Sequence, residues 1–193
     1  MQPLLVMSAC LAGRRTRYDG RPVYAARLVE YLARDFEILA LCPEVAAGLP
    51  VPREPINLSG TPFSPLMIGV ATGTDYTFRV TGRILEMVEA LAGRNPAAFV
   101  LKSRSPTCAA VTPIPVYDRV GPSPDKRESR EIGRSLGLFA RQVRRRFPGV
   151  PVADERVLAD SAALESFARV ALARAQAPAE TAPAPDSSPK ERP

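Results

Sequence analysis

Three cysteines are the only thiols in this 193-residue chain, which contains no histidine. Each one follows a short apolar run: PLLVMSAC ends on Cys10, FEILALC on Cys42 and AFVLKSRSPTC on Cys108. Thiolates are soft ligands that select zinc, copper(I) or iron–sulfur clusters. The spacing is wide, with 31 residues between Cys10 and Cys42 and 65 between Cys42 and Cys108, and no C-x-x-C pair occurs. A zinc site needs four closed ligands, or three and a water, and here no imidazole is available. A 4Fe–4S cluster usually takes four cysteines, so three would leave one iron open to a substrate. The plain alternative is three buried thiols acting only as small apolar side chains. The flanking chemistry speaks against it. Cys42 runs directly into Pro43-Glu44, and Cys108 follows Lys102-Ser103-Arg104-Ser105-Pro106.

The elements that would position these thiols follow from the apolar pattern. Leu4 to Ser8, Phe36 to Leu41 and Ala97 to Leu101 read as strands, with shorter candidates at Leu66 to Ala71 and Val150 to Ala153. Helical spacing predicts helices over 25–34, over 77–91 with Phe78, Ile84, Leu85, Val88 and Leu91 on one face, over 131–147 and over 159–176. Asp75 is placed to cap the second of these. Two proline-rich stretches, Pro43 to Pro65 and Thr112 to Pro124, read as long irregular loops. The alternation predicts an α/β domain, small and Rossmann-like, with a mostly parallel sheet flanked by helices and long proline-rich loops at the active site. In such sheets ligands bind outside the carboxyl ends of the strands. A residue just past a strand lies at that edge, so neighbouring strands would bring the three thiols to one crevice. The expected organisation is a domain over 1–158, a C-terminal helix over 159–176 and a disordered Pro/Ala/Ser-rich tail over 177–193.

Composition bounds the function further. An odd cysteine count argues against a complete disulfide framework. No apolar run approaches the ~20 residues that span a bilayer, and the N-terminus lacks the basic region of a signal peptide, so a cytoplasmic protein with no membrane partner is expected. The net charge is +6 and the pI about 9.6; of the 26 basic residues only Lys102, Lys126 and Lys190 are lysine. Arginine suits phosphate recognition, and Arg141, Arg144, Arg145 and Arg146 would supply it on one helix, although a solvated helix face explains the same run.

The motifs themselves carry a resemblance. V-x-S-A-C-L (6–11), R-Y-D-G (17–20), C-P-E-V-x-x-G-L-P-x-P-R (42–53), G-x-D-x-T (73–77) and K-S-R-S-P-T-C (102–108) occur in order. Together they resemble the thiouracil desulfidase (TudS) family, formerly a domain-of-unknown-function family, over roughly residues 4–158. The resemblance implies a 4Fe–4S cluster held by Cys10, Cys42 and Cys108 with one open iron. It also implies a non-redox, hydrolytic removal of sulfur from a thiolated nucleobase or nucleoside of the thiouracil type, giving a uracil-type product and sulfide. With no histidine, a carboxylate is the natural base. Glu44, two residues from a ligand, is the candidate, and the resemblance points to the same residue. The resemblance also assigns a working serine to the last motif; Ser105 is preferred and Ser103 retained, either of which could instead cap the turn. Lys102 would offset cluster and sulfide charge, or simply extend to water. Tyr18 could stack on a base, beside a turn held by Asp19 and Gly20. The sequence departs from the family in Ala109, where glycine usually follows the third cysteine, and in the Arg119-Val120-Gly121-Pro122 loop; Gly133 stands for the later glycine-rich helix start, with Gly137 one turn on. Two other readings stand beside the desulfidase: an enzyme of tRNA thionucleoside sulfur metabolism using the same cluster, and a non-catalytic, metal-stabilised binding protein.

Overall fold

The computed structural model describes residues 2–118 and 129–177. The Arg119–Pro122 departure and the tail beyond Ala177 lie outside the described residues. Four parallel strands form the first sheet, in the order β2–β1–β5–β8. They are β1 (Leu4–Ser8), β2 (Glu37–Leu41), β5 (Ala98–Leu101) and β8 (Val152–Asp154). The strand β1 is central and fully buried, as a parallel strand covered on both faces must be. Its side chains alternate between two cores. Leu4 and Val6 join Phe99 and Leu101 on one face, while Leu5 and Met7 join Ala98 and Val100 on the other.

The helices α1 (Ala26–Leu32) and α5 (Ser161–Gln176) cover the second face through Leu28, Leu32, Leu164, Ala168 and Ala171. The first face is covered by α3 (Thr77–Ala92) and α4 (Leu138–Arg146) through Val80, Ile84, Val88, Phe139 and Val143. The terminal helix is therefore part of the same core, entered through a 3-10 turn (Val157–Ala159) and capped by Asp160, which accepts from Ala163 N at 2.8 Å.

The two proline-rich stretches are not simply irregular loops, which corrects the sequence reading. They contain α2 (Pro43–Ala46), β3 (Ile56–Gly60) and β6 (Ile114–Tyr117), and with β4 (Pro65–Gly69) and β7 (Glu131–Ser135) the strands build a second sheet in the order β4–β3–β6–β7. Only β3 and β6 run parallel; the outer pairs are antiparallel. The strands are only four or five residues long and rich in Gly, Pro and Ser, so the brief alternation of β3 does not stand out, and pairing between distant segments decides their geometry. Leu58, Met67 and Val116 nevertheless point into the shared core.

Two helix expectations also need correction. Residues 131–135 form a strand, and the helix starts only after Gly137. On α3 the buried stripe is Val80, Ile84, Val88 and Leu91, whereas Phe78 is 94% exposed and Leu85 48%. At about 100° per residue, Phe78 and Leu85 fall well round the helix from that stripe. Asp75 Oδ1 accepts from Thr77 N at 2.8 Å just before α3, and Thr77 Oγ1 accepts from Met67 N at 2.8 Å. Thr77 thus ties the helix start to β4, and Asp75 bridges Ile68 of that strand; the residue at the N-cap is Tyr76, with no side-chain bond, so Asp75 is not the cap the sequence suggests. No helix among the described residues is long and apolar enough to cross a membrane.

Candidate functional site

The carboxyl ends of β1, β2 and β5 open on one cavity of about 720 Å³, within the usual range of small-molecule pockets. Cys10, Cys42, Cys108, Glu44, Lys102, Ser103 and Ser105 all line it. Each thiol arrives by a different local device. The β1–β2 ladder continues one bond past the strands, from Ala9 N to Leu41 O at 2.7 Å, and sets Cys10 and Cys42 beyond adjacent strand ends. Cys42 is the extended residue before α2, Pro43 opens that helix, and Glu44 falls in its first turn. Cys108 sits in a tight turn after β5, where Ser105 Oγ accepts from Thr107 N at 3.2 Å and from Cys108 N at 3.1 Å.

The start of α4 braces that last turn. Gly137 N, Leu138 N and Phe139 N donate to the carbonyls of Ala109, Pro106 and Thr107. The turn thereby satisfies N–H groups that a helix start leaves open. A Cβ at Gly137 would stand 2.5 Å from Thr107 C and O and 2.7 Å from Cys108 N, so glycine is required by close backbone approach. Ala109 needs no such allowance. The non-glycine residues with positive φ among those described are Asn95 and Arg104, so the departure at Ala109 carries no backbone strain.

All three cysteines are free thiols, with Cys10 and Cys108 buried. Burial pushes the Cys10 thiol up to about 11, reinforced by the nearby Cys42 and opposed by Lys102. Burial also raises Cys42 and Cys108; a hydrogen bond with Ser8 partly opposes the latter. Each thiol is thus held protonated until a cation compensates it. No three Cys, Asp or Glu side chains among the described residues are already gathered around a metal position. The donor set nonetheless fits a thiophilic centre, with three thiols, no imidazole and no disulfide on one cavity. Thr16 also lines this cavity, and its buried Oγ1 has no partner, which leaves a polar group for an occupant to satisfy.

Glu44 is 8% exposed and firmly held. Its Oε2 accepts from Arg53 Nε at 2.9 Å and lies 2.6 Å from Arg53 Nη2, while Oε1 accepts from Thr107 Oγ1 at 2.6 Å. Arg53 also donates to Thr16 O at 3.0 Å and Pro50 O at 3.2 Å. Arg53, Thr107 and Ser8 all stand in the quoted motifs, where the sequence reading gives none of them a role.

It missed Glu155 entirely. Lys102 does not extend to water. Its Nζ donates to Glu155 Oε1 at 2.5 Å, to Ser103 O at 3.0 Å and to Ser103 Oγ at 3.1 Å. Ser103 Oγ in turn donates to Glu155 Oε1 at 2.6 Å. The strand-end logic that singled out the cysteines would have flagged Glu155 too, since it follows β8 directly. Ser105 is the hydroxyl that caps the cysteine turn, and Ser103 is the one tied to charged groups.

At the cavity edge, Tyr18 is 43% exposed. Asp19 accepts from Arg17 at 2.9 Å and from Arg21 N at 3.1 Å, with Gly20 at φ +68°, so the expected turn is present. The arginines of α4 are largely engaged within the fold. Arg141 donates to Pro62 O and Ser135 Oγ at 3.1 Å each, Arg144 to Ala110 O at 2.8 Å, and Arg146 pairs with Glu89 at 3.3 Å.

Comparison with known proteins agrees with the fold. A solved structure of a 4Fe–4S-dependent thiouracil desulfidase, TudS (DUF523Vcz), superposes with a TM-score of 0.61 at 26% identity, covering 86% of this chain and 99% of that one. The uncharacterized protein YbbK of Bacillus subtilis (strain 168) is 27% identical over 112 residues, which is 55% of this chain and 74% of the relative. The profile of the 2-thiouracil desulfurase family matches residues 5–155, from the first strand to the carboxylate beside Lys102. The chain belongs to the 2-thiouracil desulfurase family.

Proposed function

We propose that this chain holds a 4Fe–4S cluster through Cys10, Cys42 and Cys108 and removes sulfur hydrolytically from a thiolated pyrimidine of the thiouracil type. The observation that carries the reading is the convergence of all three thiols with Glu44 on one cavity. When bound, the cluster would supply a Lewis-acidic iron with an open position for sulfur. The residues supply the rest. Glu44 is anchored through Arg53 and Thr107, so its carboxylate is fixed rather than free to swing. It takes a proton from water as the water oxygen bonds to the ring carbon. The carbon–sulfur bond then breaks and sulfur leaves as sulfide, with the protons of water shared between base and leaving group. No electrons are exchanged with an outside donor. Lys102 places a cation where negative charge collects, and its field already acts on Cys10. Tyr18 offers an aromatic face at the cavity edge for a pyrimidine ring.

The test is sulfide release and uracil formation from 2-thiouracil and 4-thiouracil by protein reconstituted anaerobically. Wild type should turn over, and Glu44→Gln should keep its iron while losing turnover. Full activity in Glu44→Gln would remove Glu44 as the base. Absence of turnover in iron-replete wild type would remove the reading.

A further inference from the structure

A second carboxylate lines the cavity, and the mechanism above does not use it. The register pairs Leu101 with Asp154, so the next residues, Lys102 and Glu155, leave adjacent strands side by side. Glu155 Oε1 accepts from Lys102 Nζ and from Ser103 Oγ, and Oε2 accepts from Ser103 N at 2.9 Å. An ammonium has three protons. Those of Lys102 face three acceptors in this cluster: Glu155 Oε1, Ser103 O and Ser103 Oγ. The single hydroxyl proton of Ser103 goes to Glu155. The turn after β8 does not need Glu155, because Asp154 Oδ1 already accepts from Arg156 N and Val157 N at 3.0 Å each. Burial alone would raise the Glu155 pKa, but the bonds from Lys102 and Ser103 outweigh it and hold the carboxyl below its ordinary range. The pair is only partly shielded, with both side chains 17% exposed on the cavity wall.

We infer that Glu155 is a positioning residue for the desulfuration site, holding Lys102 and Ser103 in one orientation so that Ser103 meets the substrate as an oxygen acceptor rather than as a proton donor. The inference rests on the proposed desulfidase reading. It also gives Ser103 a route for a proton: one arriving at Oγ forms a new O–H bond there as the existing proton passes to Glu155.

Two measurements on the reconstituted protein test it. The chain has only three lysines, so acetylation by an amine-reactive ester, followed by mass spectrometry, reads Lys102 individually against the N-terminal amine. Glu155→Gln should speed Lys102 modification by about tenfold or more, since a bound ammonium must first be released. The same variant should lower kcat per cluster by about tenfold, with KM within about threefold, as loss of orientation rather than of binding predicts. Glu155→Asp, which keeps the charge, should recover part of both, and it serves if the glutamine variant does not fold. Unchanged Lys102 reactivity, or unchanged kcat per cluster in a variant whose Lys102 is released, would overturn the inference. Inactive wild type would instead strike the desulfidase reading itself.

Discussion

Glu44 and Glu155 line the same cavity, and each is held by one cation and one hydroxyl. The difference lies in what the partners connect. Glu44 bonds Arg53 from one segment and Thr107 from another, so it ties the Cys42 helix to the Cys108 turn. Glu155 bonds two consecutive residues, Lys102 and Ser103, at the end of one strand. Near-identical local chemistry therefore serves two ends. One carboxylate, the proposed base, is locked between thiol-bearing segments. The other clamps a single stretch of wall.

The comparison breaks most readily in turnover. Glu44→Gln should cost about 10²–10⁴-fold in kcat, the usual reach of a general base. That is a larger loss than the Glu155 variant should show. Equal losses, measured as sulfide release per iron centre, would erase the distinction between base and clamp.

How much of this was legible in the sequence differs between the two carboxylates for a physical reason. Glu44 lies two residues from a cysteine and inside a motif, so local reading found it. Glu155 lies far along the chain from Lys102 and meets it only because β8 pairs with β5. Fold-level reading shows the same divide. The strands β1, β2 and β5 are short, mainly apolar runs, and the sequence reading matches their bounds to within a residue or so. Most of the second sheet is hidden, because the alternation of INLSG lasts only four residues and IPVY carries a proline, and both gain their strand geometry from pairing with distant segments. The sequence reading puts the glycine-rich helix start at Gly133 with Gly137 one turn on, whereas Gly133 lies in β7 and Gly137 precedes α4; the backbone contact of Gly137 with Thr107 and Cys108 belongs to tertiary structure.

That contact gives the next prediction. Gly137→Ala forces a methyl group against main chain and should destabilise by about 1–3 kcal/mol, the usual cost of overpacking. It should also lower iron content, because the Cys108 turn must move. Thermal unfolding and iron analysis read the two effects, and full iron content in this variant would separate the α4 brace from the thiol site.

Acid should act on the Glu155 side. Its folded pKa lies below the ordinary glutamate value, so the clamp stabilises the fold above the ordinary carboxylate range. That contribution is lost as pH falls through the lowered value. Urea unfolding from pH 7 down to pH 3 should show a shallower acid loss for Glu155→Gln than for wild type. Parallel curves would mean that the clamp contributes no pH-dependent stability.

The smallest effect is expected at Ser105. Ser105→Ala removes the acceptor for Thr107 N and Cys108 N and should cost about 1 kcal/mol, with turnover lost only in proportion to iron. A turnover loss beyond the iron loss would return Ser105 to the chemistry and displace Ser103.

The most direct test of the central claim is metal analysis of anaerobically prepared protein beside Cys10→Ser, Cys42→Ser and Cys108→Ser. The account predicts about four iron and four sulfide per wild-type chain, with a sharp loss in each of the three variants. Zinc alone, no metal under strictly anaerobic conditions, or a variant that keeps the full iron content would contradict it.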